Sequence, residues 1–236
     1  MKPLTDFKAL STQARFLILL FGLAGLLAAG MVMLSGEVQQ YERLALLVLL
    51  GAATAHAKVK LSNTSTLSLL TSVVMMSLMM EGIIGAVVVG VAGVTVQAFL
   101  PSQKFVVHRF VFNAAMVILA VQAASVPYYW VISQQLAVTF LGNLLGIAAA
   151  SLTYYLGNSI SVSLIVAATE CKSVFRVWYD QFMMAAPSFL SAGLVSLVVV
   201  EVLAKTLLGA AVLLPFLYLS YRAVRMAGRL ANRAAQ

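Results

Sequence analysis

An all-α, polytopic transmembrane helical bundle is the fold class this sequence predicts, and three observations carry that reading. Of its 236 residues, 62% are hydrophobic and only 9% are charged. Soluble domains carry about 25% charged residues, so too few polar side chains are present to coat a globule in water. The mean hydropathy is +1.01. Runs such as Phe16 to Leu34 and Leu44 to Ala53 are continuously apolar. That suits helices, whereas barrel strands alternate apolar and polar residues over roughly ten positions.

A spanning helix needs about 20 mostly apolar residues. The chain divides into about eight such spans, near 16–35, 43–58, 64–80, 82–100, 110–127, 138–170, 183–201 and 205–222. Together they form a single transmembrane domain over 1–222, followed by a basic cytoplasmic tail at 223–236. The first run is as long as a membrane span, with no A-x-A-like site and soluble domain after it, so it reads as a retained helix and not a cleaved signal. The third and fourth spans meet in a tight turn at Met80-Glu81-Gly82. Pro101 and Pro127 fall where the fourth and fifth should stop.

The sixth segment is overlong. As one helix, 138–170 would extend about 50 Å at 1.5 Å per residue, against a hydrocarbon core of about 30 Å. It is expected either to break near Gly157-Asn158 or to begin with an interfacial piece. Counted once, it leaves 13 of the 15 basic residues on one side, with only Arg43 and Lys205 on the other. The positive-inside rule then places both termini in the cytoplasm, in a bacterial inner (plasma) membrane. Glu37, Glu42, Glu81, Glu201 and the aromatic Tyr128-Tyr129-Trp130 belong to the outer side.

That asymmetry accounts for the net charge of +8 without a nucleic-acid partner. Cys171 is the only cysteine, which excludes an intrachain disulfide and a zinc-thiolate cluster. His56 and His108 are far apart, and no paired-carboxylate, H-E-x-x-H, G-x-S-x-G or phosphate-loop pattern occurs. No catalytic residue, metal site or cofactor is expected. The chain reads as no enzyme.

Several internal features remain. Gly82, Ala86 and Gly90, and again Gly142, Gly146 and Ala150, recur every four residues, a spacing that lets helix backbones approach closely. Met75, Met76, Met79 and Met80 form two M-x-x-x-M pairs, which read as adaptable core filler more readily than as a Cu(I) path. Lys172, Arg176 and Asp180 oppose Val174, Phe175, Trp178 and Phe182, giving an amphipathic helix expected to lie flat at the cytoplasmic face, as an anchor or as a coupling surface. Arg222, Arg225, Arg229 and Arg233 stripe the tail, as anchoring to anionic lipid or a helical connection to a partner would require.

Gln97, Asn113, Gln122, Asn143, Asn158 and the Ser159/Ser161/Ser163 row are polar residues within spans, where they normally face the interior. Asn113, Gln122 and Asn158 are the candidate ligand-binding residues. Being uncharged, they suit a small neutral or zwitterionic ligand, although a hydrogen-bonded seam between helices would use the same residues.

Lys58-Val59-Lys60-Leu61-Ser62, then Ser65 and the Gly82–Gly93 helix, resemble the N-terminal membrane region of bacterial HD-domain phosphohydrolases and related cyclic-dinucleotide signalling proteins. So do Arg109-Phe110-Val111-Phe112-Asn113-Ala114-Ala115 and Tyr154-Tyr155-Leu156-Gly157-Asn158, with Glu170, Val177-Trp178 and Ala186-Pro187-Ser188 beyond. The resemblance spans roughly residues 40–225 and implies a sensory or solute-binding membrane domain. Members of that family continue into a cytoplasmic catalytic domain. This chain ends at Gln236, so phosphohydrolase activity is not implied. The polar Ser62–Thr66 segment beside a Gly-rich helix is also similar, more weakly, to the substrate-binding subunits of energy-coupling-factor vitamin transporters. The expected function is a membrane module, set in the lipid bilayer, that passes a signal to a cytoplasmic protein partner. The alternatives are a transporter subunit and a structural subunit of a membrane complex.

Overall fold

The computed structural model describes residues 7, 10–35, 37–56, 58–60, 66–99, 105–134 and 140–205. Its helices are α1 (Thr12–Ser35), α2 (Tyr41–Thr54), α3 (Leu69–Phe99), α4 (Val107–Ser133), α5 (Phe140–Glu170), α6 (Val174–Gln181) and α7 (Ala186–Lys205), with a 3₁₀ turn at Met183–Ala185. Five helices among the described residues are long and apolar enough to cross a membrane: α1, α3, α4, α5 and the Met183–Glu201 stretch that joins the 3₁₀ turn to α7. Pro101, most of the expected eighth span and the basic tail lie outside the described residues.

Side-chain size is distributed as lipid demands. On α1, Ala14, Ile18, Ala28 and Val32 turn inward while Phe16, Leu19, Leu23, Leu26, Leu27 and Leu34 stay exposed. In water such a face would be an aggregation surface; in hydrocarbon it costs nothing, and small residues are free to bring helices together. One core joins side chains from every long helix. The helix α4 packs against α1, α3 and α5, while α7 packs against α3 and α5. Both small-residue stripes serve this packing. A Cβ on Gly90 would lie 2.5 Å from Val117, and one on Gly146 would lie 3.4 Å from Tyr128, both on α4.

The helix α3 is two helices. Gly82 has φ 73° and ψ −162°, a combination open essentially only to glycine. A Cβ on Gly93 would run into the side chain of Leu70, and one on Gly90 would lie 3.7 Å from Val74. Along a straight helix, residues 70 and 93 would be about 35 Å apart. The halves 69–81 and 82–99 therefore form an antiparallel hairpin, turning at the expected Glu81-Gly82.

Three expectations are corrected. First, the helical class holds, but the expected spans 43–58 and 64–80 are shorter: α2 stops at Thr54, and β1 (Lys58–Lys60) pairs antiparallel with β2 (Thr66–Ser68), Val59 opposite Leu67, before α3 begins at Leu69. The apolar residue flanked by polar ones on each strand has the period of two that a ladder needs. Second, Pro127 lies inside α4 and does not end it. A membrane helix tolerates the lost N–H when neighbouring helices hold it, and the next residue, Tyr128, is buried in the core.

Third, α5 runs unbroken through Gly157-Asn158. Gly157 is a packing glycine: a Cβ there would sit 3.2 Å from Ala120 of α4. The serines beside it return their hydroxyls to the helix, Ser161 Oγ donating to the Gly157 carbonyl at 2.6 Å and Ser163 Oγ to that of Ser159 at 2.8 Å. No backbone group is released by a break, and the segment is overlong in the simple sense. Its 31 residues extend about 46 Å.

Candidate functional site

The three residues proposed from the sequence do not share a pocket. Asn113 and Gln122 are both on α4, nine positions apart, so they face opposite sides of the helix and lie about 13 Å apart along it. Asn158 is half-buried on α5. A notch of about 220 Å³ is lined by Asn113 and includes neither of the other two.

That notch lies between the end of α3 and the start of α4. Val94, Gln97 and Ala98 form one wall; Val106, Arg109, Phe110 and Asn113 form the other. Each set follows the helical spacing of three and four, so each is one helix face. Gln97 is held in place because its Nε2 donates to the Ala55 carbonyl at 2.6 Å, at the end of α2. Among the described residues, the ion pairs are Arg43–Glu81, Lys172–Glu170 and Arg176–Asp180, and none involves Arg109. No side chain caps the start of α4 at Val106, so the partial positive charge of that helix end adds to the guanidinium.

At the opposite end of the bundle, the α3 turn is clamped. Glu81 is 1% exposed and its carboxylate accepts from Arg43 Nε at the start of α2 and from the Gln40 N–H at 3.0 Å. Arg43 also donates from its second nitrogen to the Met80 carbonyl at 2.8 Å. On the far side of the turn, Tyr129 Oη of α4 lies 3.1 Å from where a Cβ on Gly82 would be. The Met80 carbonyl exposed at the reversal is thus taken up by this chain's own Arg43.

The third feature is α6. Cys171, with φ 54°, turns the chain so that α6 runs back beside α5. Trp178 Nε1 donates to Ser159 Oγ at 2.9 Å and Tyr155 Oη donates to the Phe182 carbonyl at 3.0 Å. Four residues forward on one element match four residues back on the other, which is antiparallel packing and not the flat surface helix expected. Val177 is buried against α5, while Phe175 and Tyr179 are 70% and 52% exposed. Arg176 and Asp180 pair at 4.0 Å on the exposed side.

No family model matches the chain, and no curated protein or solved structure matches it. The site must be judged on its own chemistry. No three His, Cys, Asp or Glu side chains converge among the described residues. The four methionines are core: Met75 and Met76 are buried, and Met79 and Met80 pack against them and their neighbours.

The Arg43–Glu81 clamp was missed because its partners are 38 residues apart and share no motif. One signal was available: Arg43 is one of only two basic residues assigned to the acidic side, and ionisable residues at membrane depth ordinarily have a partner. Arg109 was read as a basic residue of the cytoplasmic side and as the first residue of the Arg109–Ala115 motif, not as a contact, although its spacing of four from Asn113 stacks the two on one face.

Proposed function

We propose that this chain is a sensory or solute-binding membrane module whose output element is the α5–α6 hairpin. The observation that carries the reading is the overlength of α5. Its 31 residues exceed a bilayer of about 30 Å by about 16 Å, and α6 folds back along its C-terminal half through Trp178–Ser159 and Tyr155–Phe182. A helix that crosses the core and continues past it moves at both ends together. The exposed Phe175, Tyr179, Arg176 and Asp180 give a cytoplasmic protein partner rings and both charge signs to grip. The basic Arg15, Arg109, Lys172 and Arg176 share this end, which the positive-inside rule assigns to the cytoplasm of a bacterial inner membrane. With α2, the two halves of α3 and one further span after α7, the count comes to eight, and both termini are cytoplasmic.

A transporter subunit is the second reading, and the reversal at Gly82 is what favours it, since discontinuous membrane helices often hold transported solutes. Against it, Arg43 already occupies the Met80 carbonyl and the Glu81 carboxylate at that reversal. Native mass spectrometry of the extracted chain separates the readings. The sensor reading expects a partner in fixed stoichiometry that is lost from Arg176→Glu/Asp180→Lys at unchanged melting temperature. ATP-driven uptake by a complex containing this chain, insensitive to those substitutions, overturns it.

A further inference from the structure

We propose that the notch between α3 and α4 binds the phosphate of an anionic lipid headgroup, with Arg109 as the charged contact and Asn113 as the hydrogen-bonding one. This inference is independent of the coupling role given to α6. Four observations support it together. Polar groups make up most of the notch surface, from Gln97, Arg109 and Asn113, which is unusual in a bundle walled by leucine, valine and alanine. Arg109 has no carboxylate partner among the described residues, so its charge is available to an anion. It stands in the uncapped first turn of α4, where the helix end also favours negative charge.

The fourth observation identifies a lipid as the source of that anion. Phe99 and Phe105 stack at 4.8 Å with their planes 1° apart, and Phe105 meets Phe110 at 5.7 Å. Phe99 and Phe105 remain 57% and 42% exposed, and Phe110 itself lines the notch. Exposed phenyl rings seek acyl chains while the cation beside them seeks headgroups, and that pairing matches the boundary between the two. Depth agrees. The 27 residues of α4 reach about 40 Å, which leaves about 5 Å beyond the hydrocarbon at each end. Arg109 then lies at headgroup level, with Asn113 about 6 Å deeper. A phosphate held there would receive the guanidinium fork, which matches its geometry, and one amide N–H from Asn113.

The test uses the full chain, stripped of lipid in detergent. Retention of dioleoyl phosphatidylglycerol is compared with that of dioleoyl phosphatidylcholine by native mass spectrometry. The wild type is expected to prefer the anionic lipid. Arg109→Gln should reduce that preference by about fivefold, the effect of one basic residue at an anionic surface, and Arg109→Lys should restore most of it. Asn113→Leu, which fills the notch but keeps the cation, should also reduce it. Arg176→Gln removes a cation that is 82% exposed on α6 and should leave the preference intact. The proposal is overturned if Arg109→Gln has no effect, or if Arg176→Gln has as large an effect. Displacement of the lipid by millimolar inorganic phosphate would assign the notch to a soluble phosphate and overturn the lipid reading.

Discussion

Glu81 has no route to water, whereas Arg43 does: the side chains of the pair are 0% and 30% exposed respectively. That difference fixes the ranking of two substitutions that an ion-pair count would treat alike. Arg43→Met leaves a carboxylate sealed in the turn with only the Gln40 N–H as partner, and breaking a buried pair in this way costs about 3–5 kcal/mol. Glu81→Leu leaves a guanidinium that keeps the Met80 carbonyl and extends its tip to solvent, so the loss is about 1.5–3 kcal/mol, the worth of hydrogen bonds to a charged group. The melting temperature in detergent should therefore fall further for Arg43→Met than for Glu81→Leu. Arg43→Met/Glu81→Leu should be less damaging than Arg43→Met alone, because no buried charge remains. Equal losses for the two single variants would mean that the turn opens to water in solution. Little of this was legible in the sequence, where Glu81 reads as a loop acid and the one signal is Arg43 as an exception to a topology rule. By contrast Asn113 was legible, as a polar residue in an apolar helix, but its companion was not Gln122 or Asn158. The three were grouped by shared chemistry, and helical phase separates Asn113 from Gln122 on α4.

Glycine marks most of the elements here, and it does so for two unrelated reasons that sequence cannot tell apart. At Gly82 the backbone demands it, with φ at 73° and Tyr129 Oη 3.1 Å from where a Cβ would be. At Gly157 the demand comes from a neighbour, Ala120, 37 positions away in the chain, and that is why the expected hinge in α5 proved to be a contact. Gly30 of α1 answers to neither, since a Cβ there would meet nothing within 4 Å. Gly82→Ala should cost about 1–3 kcal/mol as backbone strain, while Gly30→Ala should leave stability unchanged or raise it by up to about 1 kcal/mol through helix propensity. Thermal unfolding of the two variants checks the pair. The α5–α6 hairpin carries its own prediction. Ser159 Oγ accepts the Trp178 indole N–H, so Ser159→Ala removes a tie between the elements without touching the core of α5. Amide exchange should speed up across 174–181 and stay unchanged in α7; acceleration in both would mean that α6 and α7 open as one unit.

At the scale of the whole molecule, the sequence was most informative about solvent and least about contacts. Composition alone excluded a water-coated globule, and the run lengths located every long helix, because a bilayer imposes one thickness on all of them. The hairpin turn was also legible, since Glu81-Gly82 interrupts an otherwise continuous apolar stretch. The ladder at 58–60 and 66–68 was not, being too short to outweigh the helical pattern on either side. Orientation in the membrane rests on charge, and the fold supplies its own probe of it. Cys171 is the only cysteine in the chain and is exposed at the end shared by Lys172 and Arg176. Exposed Glu37 lies at the opposite end, where α1 passes into α2. A membrane-impermeant maleimide should leave Cys171 unmodified in intact cells and label it in inverted vesicles. Glu37→Cys in a Cys171→Ser background should behave the opposite way. The two thiols are separated by the whole of α1, so a reagent that leaks across the membrane would label both from either side and be recognised at once. Modification of Cys171 from outside, with Glu37→Cys protected, would invert the assignment of ends; the helical hairpins would stand, but the α5–α6 element would face the exterior and could not serve a cytoplasmic partner.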